Sequence, residues 1–139
     1  MKAYLTRAYL FSASHRLHSD EFSAEKNAEV YGKCNNPHGH GHNYRVEVTV
    51  GGQVDAKLGM VCDLAELDTF VNNEIIERYS LENLNTLPEF KEVVPTTENL
   101  SIEIFNRLHS GFKPAAVAKV RIEETAMNSF EYSAGAELR

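Results

Sequence analysis

His40-Gly41-His42-Asn43-Tyr44-Arg45-Val46-Glu47-Val48-Thr49-Val50 is the stretch that decides the fold class of this chain. Tyr44, Val46, Val48 and Val50 alternate with Arg45, Glu47 and Thr49. A period of two means a strand with one buried face and one polar face. The strand is expected to run from His40 to Gln53, with Gly51-Gly52 at its end. His40 and His42 share the parity of the apolar residues, so both rings point the same way. Two imidazoles at i, i+2 can be aimed at one ion, which neighbours at i, i+1 cannot do.

Upstream, Tyr4 to His15 reads as another strand, with Tyr9, Phe11, Ala13 and His15 on one face. Residues 16–39 are polar and read as a long loop with a short helix around Ser23 to Tyr31. Downstream, Asp63 is placed to cap a helix, with Glu66 as its capping-box partner. Leu64, Leu67, Val71 and Ile75 form the apolar stripe of that helix, which runs to about Tyr79. Residues 80–95, with Pro88 and Pro95, are irregular. Thr96 or Thr97 caps a second helix with the stripe Leu100, Ile104 and Leu108, ended by Gly111. Val117 to Thr125 is a third strand, with Ala118, Val120, Ile122 and Glu124 on one face. Ser129 to Tyr132 is a fourth, joined to the third by a turn near Met127-Asn128. The order predicts one α+β domain over 1–139: a four-stranded antiparallel sheet with two helices on one face.

The bulk numbers agree with one core. The chain has 139 residues, and 42% of them are apolar, which suits a globular domain. It has no apolar run long enough to span a membrane and no signal-peptide stretch, so a cytoplasmic location is the default expectation. The net charge of −6 argues against a nucleic-acid partner. It leaves room for an anionic substrate in a locally basic pocket, and Arg16, His18 and Lys33 are candidates for that charge. Two cysteines are too few for a disulfide framework. Cys62 has apolar neighbours and reads as a small buried hydrophobe.

The chemistry is concentrated around Cys34-Asn35-Asn36-Pro37-His38-Gly39-His40-Gly41-His42. Three of the six histidines fall within five positions there, and His15 ends the preceding strand. His15, His40 and His42 form a candidate three-histidine metal site, the ligand count of a catalytic zinc ion with one open position. As isolated residues they would be ordinary strand-end histidines. Cys34 lies in a polar loop, where it is either a catalytic thiol or a bystander. Nearby positive charge and a metal would favour its thiolate. Glu124, on the apolar parity of its strand, is either a recognition carboxylate or a strand-end group that reaches solvent. Thr96, Thr97 and Glu98 open a helix and fill capping roles in any case.

Several segments together resemble the 6-pyruvoyl-tetrahydropterin synthase family. They are Phe11-Ser12-Ala13-Ser14-His15-Arg16-Leu17, Tyr31-Gly32-Lys33-Cys34-Asn35-Asn36-Pro37, Gly39-His40-Gly41-His42-Asn43-Tyr44, Gly59-Met60-Val61, Thr96-Thr97-Glu98-Asn99 and Glu124-Thr125. They occur in the family order and span almost the whole chain. The resemblance is closer to the animal-type enzyme than to the related 6-carboxy-tetrahydropterin synthases. It implies the tunnelling fold (T-fold), in which three subunits close their sheets into a barrel and two trimers stack as a homohexamer. It implies conversion of 7,8-dihydroneopterin triphosphate to 6-pyruvoyl-tetrahydropterin with loss of triphosphate, a lyase reaction. By the same resemblance His15, His40 and His42 would hold Zn²⁺. Cys34 would be the base, and Glu124 would anchor the pterin ring beside Thr96, Thr97 and Glu98.

Two features depart from the family pattern. The family places an Asp-His pair, the partners of the catalytic cysteine, after the first long helix, where this chain has Ser80-Leu81. His38 and Glu82 are candidate substitutes, as is a residue from a neighbouring subunit. Five residues separate Cys34 from His40, the spacing of the pyruvoyl enzymes, and three separate it from His38, the spacing of the carboxy enzymes. Asn43-Tyr44 favours the first register. The lost pair also admits side-chain cleavage to a 6-carboxy or 6-hydroxymethyl pterin, or a zinc- and pterin-binding protein with weak catalysis.

Overall fold

A computed structural model describes residues 1–133. Among them, four strands form a single antiparallel sheet in the order β1-β2-β3-β4. They are β1 (Lys2–His15), β2 (His40–Gln53), β3 (Ala116–Thr125) and β4 (Asn128–Ser133). The alternation in β2 is expressed as read: Tyr44, Val46, Val48 and Val50 are fully buried. On the opposite face Arg121 bridges Glu47 and Glu123, and Arg45 pairs with Glu47. β1 lies on β2 in unbroken register from Lys2 opposite Gln53 to His15 opposite His40. That register is what brings His15 to the start of β2, with Ala13 opposite His42.

The helices cover the apolar face. α1 (Ala24–Tyr31) lies in the long loop and is capped by Ser23, whose side chain accepts from Lys26 N–H. A 3-10 turn at Gly32–Asn35 follows it. α2 (Leu64–Val71) is capped by Asp63, which accepts from Ala65 N–H. The helix continues through a π-helical turn at Asn72–Ile76 into α3 (Glu77–Tyr79). The spacing explains that turn. Leu67, Val71, Ile75 and Tyr79 are all buried at steps of four residues. In a regular α-helix each such step drifts by roughly 40° around the axis. The wider π turn takes that drift back and keeps all four on the core side. Leu64, expected in the same stripe, is exposed at 38% because it sits in the first turn, off the core. α4 (Thr97–Gly111) is capped by Thr96, which accepts from Asn99 N–H, and buries Leu100, Ile104 and Leu108.

β3 departs from simple alternation at both ends. Against β2, Lys119 pairs with Thr49 and Val117 with Val50, so Ala118 is left without a partner. The extra residue flips the parity, and Val117 rather than Ala118 enters the core. Against β4, Glu123 pairs with Ser129 and Thr125 with Asn128, which leaves Glu124 unpaired in a second bulge. Cys62 is partly buried against the core edge. No helix among the described residues is long and apolar enough to cross a membrane.

Candidate active site

The register of β1 on β2 places His15, His40 and His42 together at one end of the sheet. One ring nitrogen from each lies within 4.8 Å of the others. The Nε2 atoms of His15 and His40 are 3.1 Å apart. His15 is buried, and its Nδ1 stands 2.7 Å from the Pro95 carbonyl oxygen. A carbonyl only accepts, so Nδ1 carries the proton and Nε2 presents its lone pair to the other two rings. Burial, then the neighbouring imidazoles, hold the His15 pKa below its usual value of 6.5. Burial lowers that of His42 as well. Both rings are therefore favoured in the neutral form that binds a metal. His42 Nε2 is buried with no hydrogen-bond partner, a costly arrangement unless something else occupies its lone pair. The donor set and this orphaned nitrogen fit a small divalent cation of the zinc type.

The segments that carry the triad are fixed by contacts with no sequence signature. Asn85 clamps the residue after His15: Arg16 N–H donates to its Oδ1 at 2.7 Å, and its Nδ2 donates to Arg16 O at 2.8 Å. Asn35 Nδ2 donates to Leu17 O, and Leu17 N–H donates to Cys34 O. Asn27, fully buried, ties the start of α1 to Ser19 through both its amide atoms. Gly39 precedes the first β2 histidine with φ 73°, and a Cβ there would lie 3.0 Å from His15 O. Only glycine allows that approach at that φ.

The other candidate residues distribute as follows. Glu124 reaches into the triad, with Oε1 3.5 Å from His42 Nε2 and 3.9 Å from His15 Nε2. Thr97 Oγ1 donates to the same oxygen at 2.8 Å, and Asn128 Nδ2 donates to Oε2 at 3.2 Å. Thr96 is used as the α4 cap, and Glu98 lies in its first turn. Cys34 is half-buried in the 3-10 turn after α1. Burial, then the charge of Glu124, pushes its thiol above the usual range, and Lys33, expected to favour the thiolate, is exposed. His38 is exposed, with its backbone N–H held by Asn36 Oδ1. Leu81, where the resemblance implies His, is 87% exposed at φ 61°. Together with Glu82 it borders a groove of about 310 Å³ that also touches Ser12, Ser14, His42 and Asn43. Arg16 and His18 line a separate groove of about 670 Å³, with Lys91 and Pro95, which Lys33 does not reach.

Comparison with known proteins gives matches over almost the whole chain. The family described as 6-pyruvoyl tetrahydropterin synthase matches residues 4–135. The 6-pyruvoyl tetrahydrobiopterin synthase of Poecilia reticulata is 46% identical over 130 residues, covering 93% of this chain and 88% of that one. The Homo sapiens protein of the same name is 42% identical over 132 residues, covering 94% and 91%. The solved structure of Caenorhabditis elegans 6-pyruvoyl tetrahydropterin synthase superposes with a TM-score of 0.92 at 41% identity, covering 97% of each chain.

Proposed function

We propose, because this chain belongs to the 6-pyruvoyl tetrahydropterin synthase family, that it is a zinc-dependent lyase converting 7,8-dihydroneopterin triphosphate to 6-pyruvoyl-tetrahydropterin with loss of triphosphate. The observation that carries this reading is the triad: three ring nitrogens within 4.8 Å, one locked in its tautomer by Pro95 O and one with no other partner.

His15, His40 and His42 would hold the ion. When bound, zinc polarises the oxygens of the substrate side chain and makes the adjacent C–H and O–H protons easier to remove. Cys34 is the group proposed to take and return those protons at its Sγ. In this chain alone its thiol is biased toward the protonated form, so catalysis at neutral pH calls for added positive charge, from the ion or from another copy of the chain. His38 is the proposed substitute for the family's relay, and its exposure leaves its ring free to turn toward a reacting group. Glu124, held by Thr97, is the proposed acceptor for the ring N–H and exocyclic amine of the pterin, with Thr96 and Glu98 beside it. A cytoplasmic homohexamer, two stacked trimers with sites between subunits, belongs to the same reading.

Ser80-Leu81 supports a second outcome on the same scaffold, side-chain cleavage to a 6-carboxy or 6-hydroxymethyl pterin. One experiment separates the readings. Zinc-loaded protein is incubated with dihydroneopterin triphosphate and the products are identified by mass. Triphosphate with a pyruvoyl pterin is the expected result. A shortened side chain with a two-carbon fragment replaces the first reading by the second. Bound but unchanged substrate leaves only a binding protein. Loss of turnover in Cys34→Ala supports the base assignment, and an unchanged rate in His38→Ala removes His38 from it.

A further inference from the structure

Tyr44 follows the two β2 histidines on the same parity and carries a hydroxyl that the core does not need. Its ring is fully buried and stacks on Phe11, its partner across the β1–β2 ladder, with 5.2 Å between centroids. A phenylalanine would fill the same space. The other two buried tyrosines, Tyr9 and Tyr79, give their hydroxyls to carboxylates, Asp68 at 2.7 Å and Glu89 at 2.8 Å. The Tyr44 hydroxyl instead stands 3.5 Å from His15 Nδ1, with the Thr97 hydroxyl as a further hydrogen-bonding neighbour. A buried hydroxyl held this loosely carries a desolvation cost that a phenylalanine would not. The same ring meets His15 and His42 edge-on, with centroids 6.4 and 5.6 Å apart.

Donors and acceptors here run in one direction. The His15 Nδ1 proton goes mainly to Pro95 O at 2.7 Å and has the Tyr44 oxygen as its minor acceptor. Thr97 gives its one hydroxyl proton to Glu124 Oε1, so toward Tyr44 it can only accept. The Tyr44 proton is thus directed to Thr97. We propose that Tyr44 is a positioning residue that joins the two halves of the site, the candidate metal ligand His15 and the Thr97–Glu124 pair proposed to hold the pterin ring. This rests on the reading of the triad as a zinc site. Electron density drawn from the imidazole at Nε2 makes Nδ1–H a stronger donor, and each hydroxyl further along is polarised in its turn. The ligand that faces the ion and the carboxylate that faces the ring are thereby set together.

The test uses the full chain with Co²⁺ in place of zinc, as wild type, Tyr44→Phe, Thr97→Val and the double variant. Thr97→Ser restores the hydroxyl, and His40→Ala is the control for the triad. Affinity is read by chelator competition, and metal-free protein is unfolded in urea. Tyr44→Phe keeps the ring and removes only the hydroxyl, so its urea midpoint should match or exceed that of the wild type. Its cobalt affinity should fall about three- to tenfold, at or below the lower end for loss of a partner behind a ligating histidine, because Pro95 O remains. Thr97→Val should lower affinity about threefold when Tyr44 is present and leave it unchanged in the Tyr44→Phe background. Thr97→Ser should bind like the wild type. An affinity within about twofold of wild type in either Tyr44→Phe or Thr97→Val overturns the proposal. An equal loss from Thr97→Val in both backgrounds also overturns it, because Thr97 would then act through the Glu124 charge alone. A lower urea midpoint in Tyr44→Phe does the same, since the hydroxyl would then serve the fold and not the site. If the wild type takes up no cobalt, or His40→Ala takes up as much, the zinc reading itself fails and the proposal goes with it.

Discussion

Glu89 is the residue whose removal should cost the fold most for the least change in shape. Its side chain is only 8% exposed and sits at the centre of a polar knot. Arg78 forks onto it with two bonds of 2.6 Å, Tyr79 OH donates at 2.8 Å, and Arg107 reaches it at 3.2 Å. Bonding to Arg78 holds the carboxyl at about 2, against a usual value of 4.5. A carboxyl whose folded pKa is depressed contributes stability that is fully present above its unfolded pKa. That stability is lost as pH falls toward the folded pKa. At about 1.4 kcal/mol per pKa unit the full shift corresponds to about 3 kcal/mol at pH 7. Arg78 and Arg107 are about one-third exposed, and solvent screening brings the expected cost of Glu89→Gln to about 2 kcal/mol. The assay is urea unfolding of metal-free wild type and variant at matched pH, so that every other titrating group cancels in the difference. That difference should be about 2 kcal/mol at pH 7 and less than about 1 kcal/mol at pH 3. A loss below about 0.5 kcal/mol at pH 7 would refute the reasoning, and so would a difference that is the same at both pH values.

Removing a proposed metal ligand should separate site from fold: His40→Ala is expected to bind less than about a tenth of the wild-type zinc by elemental analysis. Its metal-free form should unfold within about 1 kcal/mol of metal-free wild type. Gly39→Ala places a Cβ 3.0 Å from His15 O at φ 73°. It should cost about 1–2 kcal/mol in urea unfolding and weaken zinc binding, because the strain is relieved only by moving His15 or His40. Asn85→Ala strips both backbone groups of Arg16 of their partners and should cost about 1–3 kcal/mol. Leu81→Gly should do the opposite, raising stability by about 1 kcal/mol, since Leu81 holds φ 61° with its side chain 87% exposed.

Much of the site was legible because the fold and the chemistry use the same pattern. The alternation that makes β2 a half-buried strand also aims His40 and His42 at the face where His15 lies, and the β1–β2 register does the rest. What escaped was of another kind. The Pro95 carbonyl that sets the His15 tautomer is a backbone atom with no side-chain signature. Asn85 and Asn27 act through amides that look like ordinary loop residues. The bulges in β3 defeat parity counting, because Ala-Val-Ala at residues 116–118 reads equally well in either phase. Glu124 shares the parity of Val120 and Ile122, but its approach to the histidines, beside the second bulge, has no sequence signature.

Ser80-Leu81 shows the reverse case, in which fold and chemistry part company. Leu81 N–H donates to Ser12 O, Ser14 N–H donates to Glu82 O, and Asn83 bridges Ser14 in parallel, so this stretch works as a short rib on the free edge of β1. Every one of those bonds is made by backbone, which any residue but proline supplies. These bonds therefore place no demand on the side chains at positions 80 and 81, and the one local preference is for a residue that tolerates the φ of 61° at position 81. A change from the Asp-His pair that the resemblance implies to Ser-Leu leaves the backbone bonds of the rib intact and, at position 81, alters what borders the groove beside His42. At His15, by contrast, one residue must fill the core, donate to Pro95 and present Nε2 to the triad, and three simultaneous demands leave no room for exchange. The candidate metal ligands are thus written into the packing of the sheet, while the acid–base chemistry proposed for the site meets a segment whose backbone bonds leave its side chains free to vary.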